Sequence, residues 1–320
     1  MKIEDKIKKI IKKSSNIFVT GHKNLDLDAI GACVGIKAIA TNFGKECYII
    51  IDDEEHELGV KKIIDEIKDT SNIIKSSDIP DLYKNNSVLI IVDTNKTNMI
   101  QNDKIIHYFN NVLVIDHHQE TSQTINGINI IDTNKSSACE MVSSLLRKYK
   151  VELLEEEASI VLSGIVLDTQ SFSKKTSPDT LYEAYFLTIV GANLKKVQYY
   201  LKENLNDYII RNKVIMNVEV INNKYAVTLA DSKSTYKKEE LAKIANTLVN
   251  FNDIEASFVL GNRIDGGIGI SARSAGSIDV GCILEHIGGG GDKYNAACQI
   301  KDMNLEEVKG ELIKVLNEEE

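Results

Sequence analysis

The chain has 320 residues, enough for two domains of ordinary size, and its 43% hydrophobic and 27% charged content reads as globular. A net charge of −9 excludes a protein that tracks long nucleic acid through a basic face, and no apolar run approaches the roughly 20 residues of a membrane span. The scattered cysteines (Cys33, Cys47, Cys139, Cys282, Cys298) form no C-x-x-C pair, and the first residues lack a signal-peptide apolar core, so neither a disulfide framework nor a thiolate zinc site is expected and the expected location is cytoplasmic.

In chain order, residues 1–14 read as an amphipathic helix with Ile3, Ile7, Ile10 and Ile11 on one face. The strand Phe18–Thr20 leads into Gly21-His22-Lys23-Asn24-Leu25-Asp26-Leu27-Asp28, and Ala29–Asn42 follows as a helix. Cys47–Ile51 is a strand and Val60–Ile67 a helix; Val88–Val92 and Val112–Ile115 are short strands, apolar throughout. Such strands, alternating with helical stretches, indicate a parallel sheet covered on both faces. Ser136–Tyr149 and Glu155–Leu167 are helices, the second ending at Asp168. After about Gly191 the character changes. Leu194–Val220 is polar and largely helical, a linker candidate. Glu219–Ile221 and Tyr225–Leu229 follow, then a helix around Leu241–Val249. Ala256–Leu260 and Ile268–Ser271 pair through a turn at Asp265-Gly266-Gly267. Val280, Ile283, Leu284 and Ile287 fall on one helical face, ahead of Gly288-Gly289-Gly290-Gly291.

The chemistry is concentrated where apolar segments stop. Val112–Ile115 ends in Asp116-His117-His118, and three polar, metal-competent side chains at the end of a buried strand build a site rather than a core. Three other segments end in Gly21-His22 with Asp26 and Asp28 beyond, in Asp93-Thr94-Asn95, and in Asp168-Thr169. Asp26 and Asp28 are two apart, so an extended loop would point them at neighbouring metals; Asp28 before Ala29 equally suits a helix N-cap. Asp93 by itself reads as a turn residue. Together the segments offer imidazole and carboxylate ligands and no thiolate, a set that suits Mn2+ and tolerates Mg2+, Co2+ or Zn2+. Two such ions would neutralise the aspartates, clamp a phosphoryl group and activate a water. In the C-terminal part, Arg273 of Gly269-Ile270-Ser271-Ala272-Arg273-Ser274 offers a phosphate fork, and the glycine run offers backbone N–H groups or simply a helix end.

These residues resemble the DHH/DHHA1 phosphoesterase superfamily nearly end to end, and within it the catalytic region of the GdpP-type cyclic di-AMP phosphodiesterases. The likeness rests on Gly21-His22-Lys23-Asn24-x-Asp26-x-Asp28-Ala29-Ile30-Gly31-Ala32, Asp93-Thr94, Asp116-His117-His118, Gly164-Ile165-Val166-x-Asp168-Thr169-x-Ser171-Phe172, Gly269–Ser274, and Gly288–Gly291 followed by Asn295-Ala296-Ala297. It implies an α/β fold: a Rossmann-like DHH domain with a mostly parallel sheet (residues 1–193), a linker helix (194–217) and a smaller mixed α+β DHHA1 substrate-binding domain (218–320). It implies two Mn2+, with Mg2+ or Co2+ as substitutes, one on His22, Asp26 and Asp93 and one on Asp28, Asp93, His117 and Asp168. His118 would contact the scissile phosphate and Asp116 would orient the histidines. Ser271, Arg273 and Gly288, Gly289, Gly290 and Gly291 would hold substrate.

Two residues depart from the family pattern. Asn95 stands where Asp-Thr-His is usual, and Asp292 stands where a histidine usually follows the glycines. Asn95 cannot carry a proton at neutral pH, and Asp292 repels a phosphate unless it turns away or meets a cation. The expected activity is hydrolysis of cyclic di-AMP to pApA. The alternatives are an oligoribonuclease that clears pApA and short oligonucleotides to 5′-mononucleotides, and a non-catalytic cyclic dinucleotide sensor. The resemblance also points to a homodimer, and to either the cytoplasmic catalytic part of a membrane-anchored protein or a free-standing relative.

Overall fold

Short, largely apolar strands whose side chains alternate between two buried faces make a sheet with a core on each face. The computed structural model describes residues 3–52, 56–120 and 124–318, and the chain divides into two compact units, Met1–Glu203 and Asn204–Glu320. In the first, β1 (Ile17–Thr20), β2 (Cys47–Ile50), β3 (Asn72–Ile74), β4 (Val88–Val92), β5 (Asn111–Asp116) and β6 (Ile128–Ile131) form one sheet in the order β3-β2-β1-β4-β5-β6. Every neighbouring pair is parallel.

The helices of this unit are α1 (Ile3–Lys13), α2 (Leu27–Asn42), α3 (Leu58–Ile67), α4 (Ile79–Leu82), α5 (Ala138–Tyr149), α6 (Glu155–Asp168), α7 (Pro178–Ile189) and α8 (Leu194–Tyr200). Ile17, Val19, Ile49, Ile90, Val92, Leu113 and Ile115 share a core with Ile11 of α1, Ile30 and Val34 of α2, Ile63 of α3, Val142 of α5 and Val161 of α6. The residues between them, Phe18, Tyr48, Ile50, Leu89, Ile91 and Val114, pack on the other face against Ile79 of α4 and against Ile100, Ile105 and Phe109.

Differences from the sequence reading have local causes. Helix α2 starts at Leu27, two residues early, because Asp26 is its N-cap and accepts from the backbone N–H groups of Asp28 (2.9 Å) and Ala29 (3.0 Å). The capping role considered for Asp28 therefore falls to Asp26. Helix α5 starts at Ala138 because Ser137 caps it. Strand β3 is short and partly exposed, and β6 is half-buried along its length, so neither shows the apolar run that marks the inner strands. Helix α7 carries a Ser177-Pro178 start, but Leu181, Tyr182, Tyr185 and Ile189 are exposed on it and blur its apolar period.

The stretch read as a linker forms α8 and then α9 (Leu205–Ile215), with residues 201–204 outside both helices. The second unit adds β7 (Glu219–Ile221), β8 (Tyr225–Leu229), α10 (Lys238–Leu248), β9 (Ala256–Asn262), β10 (Ile268–Ser274), α11 (Val280–Glu285), β11 (Gly290–Gly291), β12 (Asn295–Ile300) and α12 (Leu305–Glu318). Its sheet runs β11-β12-β10-β9-β8-β7, antiparallel except for the parallel pair β8–β9. The β9–β10 hairpin turns through Gly266 (φ +95°) and Gly267 (φ +73°), the glycines expected there. Among the described residues no helix is long and apolar enough to cross a membrane.

Candidate metal centre

Strand order reverses between β1 and β4: from β1 the sheet grows through β2 and β3 on one side and through β4, β5 and β6 on the other. Ligands bind at such a switch point, beyond the carboxyl ends of the strands. There β1 delivers His22, β4 delivers Asp93, and β5 ends in Asp116 with His117 and His118 beyond. Asp26 and Asp28 come from the cap and first turn of α2, and Asp168 is the last residue of α6. Asp93 leaves β4 with φ +58°, a left-handed conformation that costs a non-glycine residue about 1–2 kcal/mol.

The side chains so delivered converge. His22 Nε2 lies 3.3 Å from Asp93 Oδ2 and 3.7 Å from Asp26 Oδ1. His117 Nε2 lies 3.3 Å from Asp93 Oδ1, 3.3 Å from Asp168 Oδ2 and 4.0 Å from Asp28 Oδ2. Asp93 therefore turns one oxygen to each histidine. Atoms that each stand about 2.1 Å from one ion are about 3–3.4 Å apart, so the 3.3 Å spacings suit ligands of a shared cation, and the His22–Asp26 and His117–Asp28 spacings are wider. His117 Nε2 and Asp93 Oδ1 are buried without a hydrogen-bond partner, although buried polar atoms nearly always have one. His22, Asp26 and Asp93 form one group able to hold a metal ion, and Asp28, His117 and Asp168 form another; in each the ligand atoms lie within 4.8 Å of one another. A third such group joins Asp93 and His117 to Asp116 and His118.

Asp116 is fully buried, and its Oδ1 accepts from the backbone N–H groups of His117 (2.8 Å) and His118 (3.2 Å) and meets His118 Nδ1 at 2.8 Å. It thus fixes the main chain of both histidines and the ring of the second. Asn95, also buried, donates from Nδ2 to the carbonyl oxygens of His118 (3.1 Å) and Gln119 (3.4 Å), so it pins the same loop. Asp28 is clamped by the start of α5: Oδ2 accepts from Ala138 N (2.7 Å) and Oδ1 from Cys139 N (2.8 Å). The sequence reading did not connect α5 with the site. The available signal was Ser137-x-x-Glu140, an N-terminal helix signature whose free amides favour a carboxylate.

Without a cation the cluster is electrostatically strained. Burial, and then the charge of Asp93, push the Asp28 carboxyl up to about 7. Burial and the charges of Asp28 and Asp93 push Asp168 up to about 9. Burial alone would lower both histidines, but the carboxylates around them prevail, raising His117 to about 9 and His22 to about 12. For Asp93 the contacts of His117 and His22 outweigh burial and hold its carboxyl below the usual range. A divalent cation would relieve the repulsion among Asp26, Asp28, Asp93 and Asp168, and the residues present fit such an ion.

In the second unit, Arg273 on β10 is half-buried, and its guanidinium donates to Asn246 Oδ1 (2.9 Å), Ala272 O (2.7 Å) and Ser271 Oγ (3.4 Å). Gly289 and Gly291 have packing reasons to be glycine. A Cβ on Gly289 would stand 2.7 Å from Cys298 Cβ, and one on Gly291 would meet Asn295 O. Gly288 has φ +80° and Gly290 faces open space. Asp292 Oδ1 accepts from Tyr294 N (2.7 Å) and Asn295 N (2.9 Å), so this departure from the family pattern caps the β11–β12 turn.

Comparison with known proteins agrees with this architecture. Residues 16–165 match the DHH family, N-terminal domain, and residues 222–319 match the DHHA1 domain. The chain is 32% identical over 324 residues to the cyclic-di-AMP phosphodiesterase PdeA of Listeria monocytogenes, covering 98% of this chain and 49% of that protein. It is 32% identical over 328 residues to the cyclic-di-AMP phosphodiesterase GdpP of Bacillus subtilis, covering 99% and 50%. The chain thus spans about half the length of the curated relatives it matches. Among solved structures, an exopolyphosphatase-related protein from Bacteroides fragilis shares the fold, with a TM-score of 0.80 at 18% identity over 97% of this chain and 95% of that one. With a DHH domain that carries the His-Asp cluster at its switch point and a DHHA1 domain after it, this chain belongs to the DHH/DHHA1 phosphoesterase superfamily.

Proposed function

We propose that this chain is a Mn2+-dependent phosphodiesterase that hydrolyses cyclic di-AMP to pApA. The observation that carries the reading is Asp93, whose two oxygens face His22 and His117 from the middle of two ligand groups. Two divalent cations, one on His22, Asp26 and Asp93 and one on Asp28, Asp93, His117 and Asp168, would supply Lewis acidity and an activated water for attack on phosphorus. The oxygen and imidazole donors favour Mn2+, with Mg2+ or Co2+ as substitutes. His118 is half-exposed, and beyond its Asp116 contact its ring makes no hydrogen bond to a described residue, so Nε2 is available to a non-bridging phosphate oxygen. Asp116 and Asn95 hold it in place for that contact. Ser271, Arg273 and Gly288–Gly291 would receive the dinucleotide in the second unit. The choice of cyclic di-AMP is supported by PdeA and GdpP, to which nearly the whole chain aligns.

Product analysis tests the reading, with Mn2+ present and cyclic di-AMP and pApA supplied in separate reactions. The expected result is accumulation of pApA from the cyclic substrate. AMP formed from pApA while the cyclic form stays intact would reassign the substrate to short linear oligonucleotides. Cyclic di-AMP bound but unhydrolysed in Mn2+, Mg2+ and Co2+ would make the protein a sensor.

A further inference from the structure

We infer that Asp292 is a specificity determinant: fixed on the turn that leads into β12, the strand paired with β10 at Arg273, its carboxylate disfavours a terminal phosphomonoester at the Arg273 guanidinium relative to an internal phosphodiester. The inference rests on the reading of the chain as a dinucleotide phosphodiesterase, and it names which dinucleotides the second unit accepts.

Three observations carry it. The first is that Arg273 is a half-buried cation whose hydrogen bonds all go to uncharged oxygens, and no carboxylate among the described residues lies within ion-pair distance of it. Burial lowers its pKa from the ordinary value, and the charge of Asp292 acts in the opposite direction. Such a cation is set to receive an anion.

The second is placement. In the β10–β12 ladder Arg273 stands opposite Asn295, and the adjacent Ser274 N–H donates to Tyr294 O at 3.0 Å. Partners in an antiparallel ladder have Cα atoms about 5 Å apart. Asp292 Oδ1 is bonded to the N–H groups of those same two β12-side residues, Tyr294 and Asn295. The carboxylate cannot swing away without giving up both bonds, so it stays near Arg273 without neutralising it.

The third is the glycine hairpin. Gly290 and Gly291 of β11 pair with Ala297 and Ala296, and Asp292 follows them directly. Any phosphate that reaches Arg273 along this edge therefore meets a fixed negative charge.

Repulsion grows in proportion to the charge of the incoming group. A diester carries about −1 and a terminal phosphate about −1.5 to −2 at pH 7, so the terminal group is repelled nearly twice as strongly. Cyclic di-AMP has only diesters, whereas its product pApA has a terminal phosphate. Asp292 thus weakens binding of the product more than that of the substrate, and so limits both product inhibition and a second cleavage.

The test compares the wild-type chain with Asp292→Asn in Mn2+ at pH 7.5, reading KM for cyclic di-AMP and Ki for pApA as a competitive inhibitor. Asparagine keeps the Oδ1 acceptor for Tyr294 N and Asn295 N, so the turn is preserved while the charge goes. Asp292→Ser, a second turn-former, guards against a folding defect in the first variant. The expected result is a fall in Ki for pApA of about fivefold, against about twofold or less in KM for cyclic di-AMP, with the difference shrinking at high salt. Equal changes for both ligands, or none, in a chain that opens cyclic di-AMP would overturn this inference alone. A wild-type chain that neither opens cyclic di-AMP nor binds pApA would overturn the proposed function and this inference with it.

Discussion

Asp93 occupies a left-handed backbone conformation that few non-glycine residues adopt, and its two oxygens face different histidines. The strain and the unpartnered buried atoms of His117 and Asp93 would have one account in common in the proposed cations. Proton linkage tests this. At pH 6 the metal-free protein holds protons on Asp28 (about 7), His117 (about 9), Asp168 (about 9) and His22 (about 12), and a cation needs them removed. As pH rises through these values the competing protons leave, so Mn2+ affinity is expected to rise between pH 6 and 9, by about tenfold per unit for each proton released. Calorimetry of metal-stripped protein in buffers of different ionisation enthalpy reads both the affinity and the proton count. Asp93→Ala should take up no Mn2+ in that experiment, and pH-independent binding would argue against the assignment. At this scale the chemical types were legible in sequence, because His and Asp at the ends of apolar strands have no packing role. Which aspartate caps α2 was not legible: Asp26 and Asp28 are both acceptable caps, and the choice is made by α5, whose amides claim Asp28.

Among the elements, the approach of α2, α5 and α6 decides whether Asp28 and Asp168 meet His117. Gly164 on α6 makes that approach possible: a Cβ there would stand 2.5 Å from Cys139 Sγ, 2.8 Å from Asp28 Cα and 2.9 Å from Asp28 Oδ1. Gly31 on α2 does the same from the other side, where a Cβ would be 2.7 Å from Cys139 Sγ and 3.0 Å from Ile160 O. Gly164→Ala should therefore push Asp28 off its α5 amides. Overpacking of this kind costs about 1–3 kcal/mol, and because it acts on a ligand the loss should appear twice. Thermal melting should show a lower midpoint without metal and a smaller rise when Mn2+ is added. A variant that melts lower yet keeps the full Mn2+-induced rise would show that the glycine serves packing alone. The inner strands β1, β4 and β5 were readable because burial on both faces leaves a continuous apolar run. Helix α12 has Leu305, Val308, Leu312 and Leu316 buried at helical spacing and carried a signal that the reading passed over.

For the whole molecule, the two units have separate hydrophobic cores, and every residue of the three metal-competent groups lies in Met1–Glu203. A chain of residues 1–203 should therefore fold and bind Mn2+ within about threefold of the full-length affinity, yet fail to open cyclic di-AMP once Arg273 and the glycine hairpin are gone. Calorimetry and product analysis on the same preparation check both halves. By itself the sequence determined the α/β class of the scaffold and singled out the His and Asp residues that the structure brings together, because strand-end chemistry and apolar periodicity are local properties. Tertiary structure alone decided that β1 and β4 are neighbours at a switch point, that α5 holds Asp28, and that Asp292 caps the turn into the strand whose Asn295 pairs with Arg273. Those facts depend on strand order, helix approach and ladder register, which follow from packing between segments far apart in the chain.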